Sequence, residues 1–340
     1  MPKTIAAFGE VMMRLQVPGY DLLTQASTLN YSFSGTGVNV ASALARFGHT
    51  GALVTRLPVG PLGDAAAAYL RKLGIEAEAD FVLRGGNYLG LYFLENGFGA
   101  RPSRVTYTNR LESSFNTAPE GTYDFDRIAA SVDAVHFCGI TLAMNDGVRS
   151  HMKNLANAVK SLGGKVIFDC NFRPSLWGEK GHNAAKPHYE EMLELADIVF
   201  MNEKDAMFTL GMGTSAEGRE ERLAELIPAV AKQYEISTIA GTHRDIHGDN
   251  SHSLRGFLFK EGHFTHSERL RFSVYDRIGA GDAFASGIIH GELEQFEPER
   301  TVNFAAVAGM LAHTVAGDTP MASEGDVIRA MENSIGDVER

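Results

Sequence analysis

The chain has 340 residues with a formal net charge of −11, 44% hydrophobic and 21% charged residues. This composition is ordinary for a folded globular protein, with length for one large α/β domain or two smaller ones. The acidic balance argues against nucleic acid or an anionic membrane as the main partner, while leaving room for a small anionic ligand at a local positive site. Two cysteines, Cys138 and Cys170, are too few for a disulfide framework and favour a reducing compartment. The opening MPKTIAAFGEVMMRL meets Glu10 and Arg14 after a short apolar run, so it does not read as a secretory leader. The longest apolar stretch, FAAVAGMLA, is about half a membrane span. A cytoplasmic protein is expected.

In chain order, KTIAAFGE reads as a buried first strand, and VNVASALARFG from Val38 has helical periodicity that Gly48 ends. GALVTRL follows as a strand. GDAAAAYLRKLG then reads as a helix capped by Asp64 and stopped by Gly74. DAVHFCG precedes a helix from Asp146, GKVIFDCN one around 186–196, and DIVFMNE a short one; AELIPAVAKQY leads into ISTIAGT. Helices are expected again over 281–294, 299–314 and 324–334. This alternation predicts a mostly parallel sheet sandwiched by helices. Two stretches, 10–35 and 86–110, are rich in Tyr, Phe, Thr and Gly with hairpin-like spacing and are expected to form a small β-sheet lid. No linker or repeat is evident, so residues 1–340 are read as a single α/β domain carrying that lid.

Several phosphate and cofactor motifs fail. LGGKV has Val166 where a phosphate loop needs Ser or Thr, and GTGVNV has Val40 at the third glycine of a dinucleotide fingerprint. His243, His247 and His252 suggest metal ligation, but Gly241, Gly248 and Asn250 mark a loop, and solvated loop histidines are expected instead.

DRIGAGDAFASG, residues 276–287, is more informative. A helix starting at its third glycine would aim the backbone N–H groups of Gly279, Ala280, Gly281 and Asp282 at one spot, an anion hole. A carboxylate at such a rim suits a nucleotide γ-phosphate: Asp282 faces the incoming hydroxyl and accepts its proton as the P–O bond forms.

DRIGAGDAFASG resembles the C-terminal signature of the ribokinase/PfkB sugar kinases. GEVMMRLQVPGYDLLTQAS, GTGVNVASALARFG, FDCNFRPSLW and LAHTVAGD resemble, more narrowly, the 2-keto-3-deoxygluconate kinases over essentially the whole chain. The resemblance implies a ribokinase-like fold, ATP with Mg²⁺, a small sugar acid as acceptor, and Asp282 as general base beside the anion hole of Gly279, Ala280 and Gly281. It places Gly35, Asn39, Tyr92, Tyr107, Arg110, Arg173 and Asp318 against the sugar. Asn171, Asn202, Thr242, Gly279 and Gly281 fall on the nucleotide side, with Asn202 and, through water, Asp205 near Mg²⁺. Glu203 competes with them, and Asp276 is implied beside a monovalent cation such as K⁺. Arg110 and Arg173 also make independent chemical sense, because a planar guanidinium offers paired donors to a carboxylate or phosphate.

The chain departs from the family in four places. The substrate loop reads SGTGVN without the usual glutamate, and YTNR stands for the commoner Tyr-Asp-Arg. NEKD replaces Asn-x-x-Glu, and GTHRDIHGDNSHSLRGF replaces a glycine-rich adenine loop. A kinase for fructose or a related keto-deoxy acid is the nearest alternative, and a catalytically silent sugar sensor a more distant one. Lid strands with exposed edges make a homodimer through 86–110, or a higher homo-oligomer through the lid, the expected assembly.

Overall fold

The structure, a computed structural model, describes residues 2–178, 181–249 and 251–332. From the N-terminus, β1 (Thr4–Phe8), β2 (Met12–Gln16) and β3 (Asn30–Ser34) precede α1 (Thr36–Arg46), β4 (Thr50–Leu57), α2 (Pro61–Lys72) and β5 (Val82–Arg84). Next come β6 (Gly90–Glu95), β7 (Arg104–Thr108), α3 (Phe125–Ala130), β8 (Ala134–Cys138), the single turn α4 (Gly139–Leu142), α5 (Asp146–Ser161) and β9 (Lys165–Asp169). The chain continues through α6 (Gly181–Leu193), β10 (Ile198–Phe200), α7 (Arg219–Gln233), β11 (Thr238–Ile246) and β12 (His252–Lys260). It closes with β13 (His263–His266), β14 (Leu270–Phe272), α8 (Ala280–Leu293), α9 (Pro298–Ala312) and α10 (Glu324–Met331).

A 10-stranded sheet runs β13-β12-β11-β10-β9-β8-β1-β4-β5, with β14 also on β12. All pairs from β11 to β5 are parallel, and the β11–β12–β13 edge is antiparallel. Strands covered on both faces need apolar residues at successive positions. Ile5, Ala134, Ile167 and Ala240 pack under α1, α8 and α9, while the alternate residues Ala6, Val135, Phe168 and Ile239 pack under α5, α6 and α7. The layered, ribokinase-like arrangement expected from the alternation is the one observed. A second sheet, of four strands in the order β3-β2-β6-β7, is drawn from the two aromatic-rich stretches.

Element boundaries follow local chemistry. Asn145 caps α5 by accepting from the Val148 N–H at 3.0 Å, and Val148, Met152, Leu155 and Val159 form its buried stripe. Helix α2 starts at Pro61, three residues before Asp64, which lies in the first turn instead of capping it and pairs with Arg84 at 2.6 Å. Residues 333 and 334 of the last expected helix, and Asn250, lie outside the described residues. Among the described residues no helix is long and apolar enough to cross a membrane.

The main departure is 241–257. It is not a loop of solvated histidines but a hairpin, with β11 and β12 paired antiparallel from Thr238–Lys260 to Ile246–His252. His243 and His252 are 6% and 7% exposed, and His247 bonds Ser253 Oγ at 3.1 Å. Gly241 misleads because it sits inside β11: a Cβ there would collide with the Met201 carbonyl and the Phe257 ring. A glycine within a strand marks such close approach as readily as a turn.

Candidate active site

A cleft of about 1000 Å³ lies at the carboxyl ends of β1, β8, β9, β10 and β11, with residues of the four-stranded sheet over it. Ligands of open α/β sheets bind at these ends because strand-to-helix loops diverge there. Gly35, Asn39, Tyr92, Tyr107, Arg110, Asn171, Arg173, Asn202, Asp205, Thr242, Gly279, Gly281, Asp282 and Asp318 all line this one cleft. Ala280 is turned into the core, 7% exposed, and Asp276 lines a smaller cavity of about 180 Å³ instead.

At the centre, Gly279 caps α8 with φ 83°, a left-handed conformation, and a side chain there would collide with the Asp318 carbonyl. Glycine is required on both grounds. The first helical bond runs from Ala283 N–H to Gly279 O at 2.9 Å, which leaves the Ala280, Gly281 and Asp282 amides free, as at any helix start. Asp282 is 8% exposed, and its Oδ2 accepts from Asn39 Nδ2 at 2.7 Å. Asn39 is itself held by Thr319, whose Oγ1 donates to Asn39 Oδ1 at 3.4 Å. Burial pushes the Asp282 carboxyl up to about 6, against the pull of Asn39 and the nearby Arg173. The group is therefore ionised at neutral pH and close enough to its midpoint to exchange a proton.

The end under the small sheet is charge-paired. Arg14 in β2 is 1% exposed; its Nη2 meets Asp276 Oδ2 at 2.9 Å and Gln16 Oε1 at 2.7 Å, and its Nη1 meets Asp318 Oδ1. Asp318 also accepts from the Tyr92 hydroxyl, which lies 2.8 Å from Ser34 Oγ. Burial pushes the Tyr92 hydroxyl up to about 12. Arg110 is 9% exposed; its Nε donates to Glu10 Oε2 at 2.9 Å, its guanidinium lies 5.0 Å from the Tyr107 ring centre, and among the described residues its Nη1 has no partner. Arg14 and Glu10 were not singled out by sequence reading. A lone Arg in a strand or a lone Glu between two strands carries no pattern, and only the pairing of β2 with β6 brings Arg14 beside Tyr92. Asp276, expected beside a monovalent cation, is paired with Arg14.

Towards β9, β10 and β11 the charges are less paired. Asp169, at the end of β9, is pushed up to about 8 by burial and then by the charge of Asp282, against the pull of Arg173. Asp205 rises to about 6, again chiefly by burial, while its Oδ2 accepts from Asn202 N–H at 2.9 Å. Asn171 has φ 35°, a strained value for a side-chain-bearing residue of the kind found at functional sites. Arg173 lines the cleft and, among the described residues, has no ion pair. Glu203, the competing metal candidate, is 2% exposed and held by Arg219 at 3.0 Å and His243 at 3.2 Å. It does not reach the cleft. Asp169 could have been found in FDCNFRP, where a carboxylate ends an apolar strand two residues before Asn171.

The profile of the pfkB family carbohydrate kinases matches residues 2–324. A 2-dehydro-3-deoxygalactonokinase from Haloferax volcanii is 25% identical over 100% of both chains, and a 2-dehydro-3-deoxygluconokinase from Dickeya dadantii is 33% identical over 60% of this chain and 64% of its own. Among solved structures, the 2-dehydro-3-deoxygluconokinase of Thermotoga maritima superposes with a TM-score of 0.92 at 32% identity, covering 98% of this chain and 99% of that one. A provisionally named 2-keto-3-deoxygluconate kinase from Enterococcus faecalis gives 0.94 at 40% identity, covering 99% of each chain.

Proposed function

This chain belongs to the pfkB family of carbohydrate kinases, and we propose that it transfers the γ-phosphate of ATP to the terminal hydroxyl of 2-keto-3-deoxygluconate, giving the 6-phosphate. The observation that carries this reading is the juxtaposition at the start of α8: three free amides for an anion, and a buried carboxylate aimed beside them with one oxygen already fixed by Asn39. Asp282 Oδ1, with no partner among the described residues, accepts the hydroxyl hydrogen. The hydroxyl oxygen attacks phosphorus as the bond to the β-phosphate oxygen breaks, and the proton passes to Asp282. The transition state is loose, so little basicity is needed early and a carboxyl near 6 suffices. The amides of Ala280, Gly281 and Asp282 hold the charge on the transferred group, and Arg173 neutralises what develops beside Asp282.

Gly35, Asn39, Tyr92 and Asp318 are assigned to the sugar hydroxyls. Arg110, with Nη1 free and Tyr107 against its face, is assigned to the carboxylate. Asn171, Asn202 and Thr242 are assigned to the nucleotide side. Asp205 fits a magnesium site, because its buried carboxyl has no ion pair among the described residues and only backbone amides and the Arg173 charge to compensate it. With Asn202 it would hold Mg²⁺ through water, and the ion would neutralise phosphate charge.

The full-length match to a galactonate enzyme favours one second reading, the epimeric keto-deoxy acid. A coupled ADP-release assay with Mg-ATP tests the proposal against 2-keto-3-deoxygluconate, 2-keto-3-deoxygalactonate, fructose, ribose and gluconate. Turnover confined to 2-keto-3-deoxygluconate and lost in Asp282→Ala is expected. Turnover on fructose would remove the carboxylate role of Arg110, and no turnover on any sugar would leave the sensor reading.

A further inference from the structure

Two more guanidinium groups face the cleft and have no role in the reaction as derived above: Arg244 on β11 and Arg277 in the segment before α8. Among the described residues neither has an ion pair or a side-chain hydrogen bond, although the chain carries a net charge of −11 and most other arginines of the fold are paired, from Arg14 to Arg271. Arg244 is half-buried, and burial together with the adjacent Arg277 charge holds its guanidinium below the usual range. The titratable neighbours behind them are His252 and His313, both buried and both kept neutral chiefly by burial, His313 down to about 4. Two like charges side by side, one half-buried, are unfavourable until an anion joins them.

Position selects the anion. Thr242 and Arg244 are two apart on one strand and so point the same way, and Arg277 is two residues from the αL cap Gly279. In the sheet order β11-β10-β9-β8-β1, Arg244 lies at the opposite end of the cleft from the small sheet, and Arg277, whose neighbours Asp276 and Ile278 meet that sheet, is set close to Arg244. The sugar end already has its own cation in Arg110. We propose that Arg244 and Arg277 form a clamp on the α- and β-phosphates of the nucleotide donor, so that the chain recognises the phosphate chain there with paired guanidinium groups. This rests on the reading of the cleft as a nucleotide-dependent kinase site.

The test is calorimetric binding of ADP and of adenosine to the full-length protein and to Arg244→Gln, Arg277→Gln and the double variant. Each single substitution is expected to weaken ADP binding about ten-fold and leave adenosine binding unchanged, in line with the loss of a charge-assisted hydrogen bond. The KM for ATP rises in parallel while the KM for the sugar acid holds. Equal loss of ADP and adenosine affinity, unchanged ADP affinity, or a rise confined to the sugar-acid KM would overturn the clamp. Arg277 is exposed, so Arg277→Gln carries the test if Arg244→Gln fails to fold, and restoration by Arg277→Lys confirms that charge is what is read. Because ADP binding needs no sugar, a protein that binds ADP through these arginines yet ignores 2-keto-3-deoxygluconate would sink the substrate assignment alone. A wild-type protein that binds no ADP would sink both.

Discussion

The two ends of the cleft handle charge in opposite ways. Under the small sheet, Arg14 joins Asp276 to Asp318 and Arg110 joins Glu10, so the buried charges are paired before any ligand arrives. Around α8 and the ends of β9, β10 and β11, Asp169, Asp205 and Asp282 all rise above the usual carboxylate range, and Arg173, Arg244 and Arg277 have no ion-pair partners among the described residues. A prepaired end suits a ligand recognised chiefly by shape and hydroxyls, with Arg110 Nη1 left for a single carboxylate. An underpaired end suits one that carries charge in and changes it during reaction. The fold thus stores its electrostatic strain where phosphoryl transfer is proposed.

The largest test of this contrast is Asp282→Asn. Activity is expected to fall by roughly 10²–10⁴-fold in the ADP-release assay, while the protein becomes more stable above pH 6. The folded carboxyl, at about 6, lies above its ordinary 3.8. Its contribution to stability is therefore fully present below about pH 4 and lost as pH rises through 6; removing the charge recovers roughly 3 kcal/mol at pH 8. Denaturant melts at pH 5 and pH 8 read this directly, and equal melts at pH 8 for variant and wild type would contradict it.

Arg14→Leu is the converse at the paired end. It leaves Asp276 and Asp318 buried without their cation and should cost about 3–5 kcal/mol of stability at neutral pH, measured by urea unfolding. A loss no greater than that of an exposed arginine would mean the pair is not buried in solution. Arg110→Ala is expected to raise the KM for a keto-deoxy acid by ten-fold or more with little change in kcat, since binding lost equally in ground and transition states appears in KM. A similar rise for fructose would break the assignment of Arg110 to a carboxylate. For the wild type, kcat should fall as pH drops through about 6, with the protonation of Asp282; a profile flat down to pH 4.5 would place the base elsewhere.

The smallest expected effect concerns assembly. Tyr31 on β3 and Val105 and Tyr107 on β7 are exposed on the two edge strands of the small sheet, at 64%, 39% and 47%, and a second copy of the chain is the expected cover. A monomeric mass by light scattering at micromolar concentration would remove that expectation.

The sequence by itself carried the alternation of strands and helices, the two aromatic-rich stretches that supply the small sheet, and the glycines at the start of α8. Each is a local property: periodic burial, turn chemistry, or a backbone conformation open only to glycine. Its resemblance to a family supplied Asn39, Tyr92, Arg173 and Asp318, which the cleft brings together. What no local pattern showed was which charges would be paired. Arg14 lies 304 residues from Asp318 along the chain, and Glu10 lies 100 from Arg110. Asp169 looks like any strand-end carboxylate until β9 is set beside α8, and the 241–257 segment reads as loop until Gly241 is packed against Met201 and Phe257. Pairing and pKa depend on distance and burial, which are set only when β2 joins β6 and α8 docks against the sheet, so tertiary structure alone decided which charged groups are neutralised and which are left to meet a ligand.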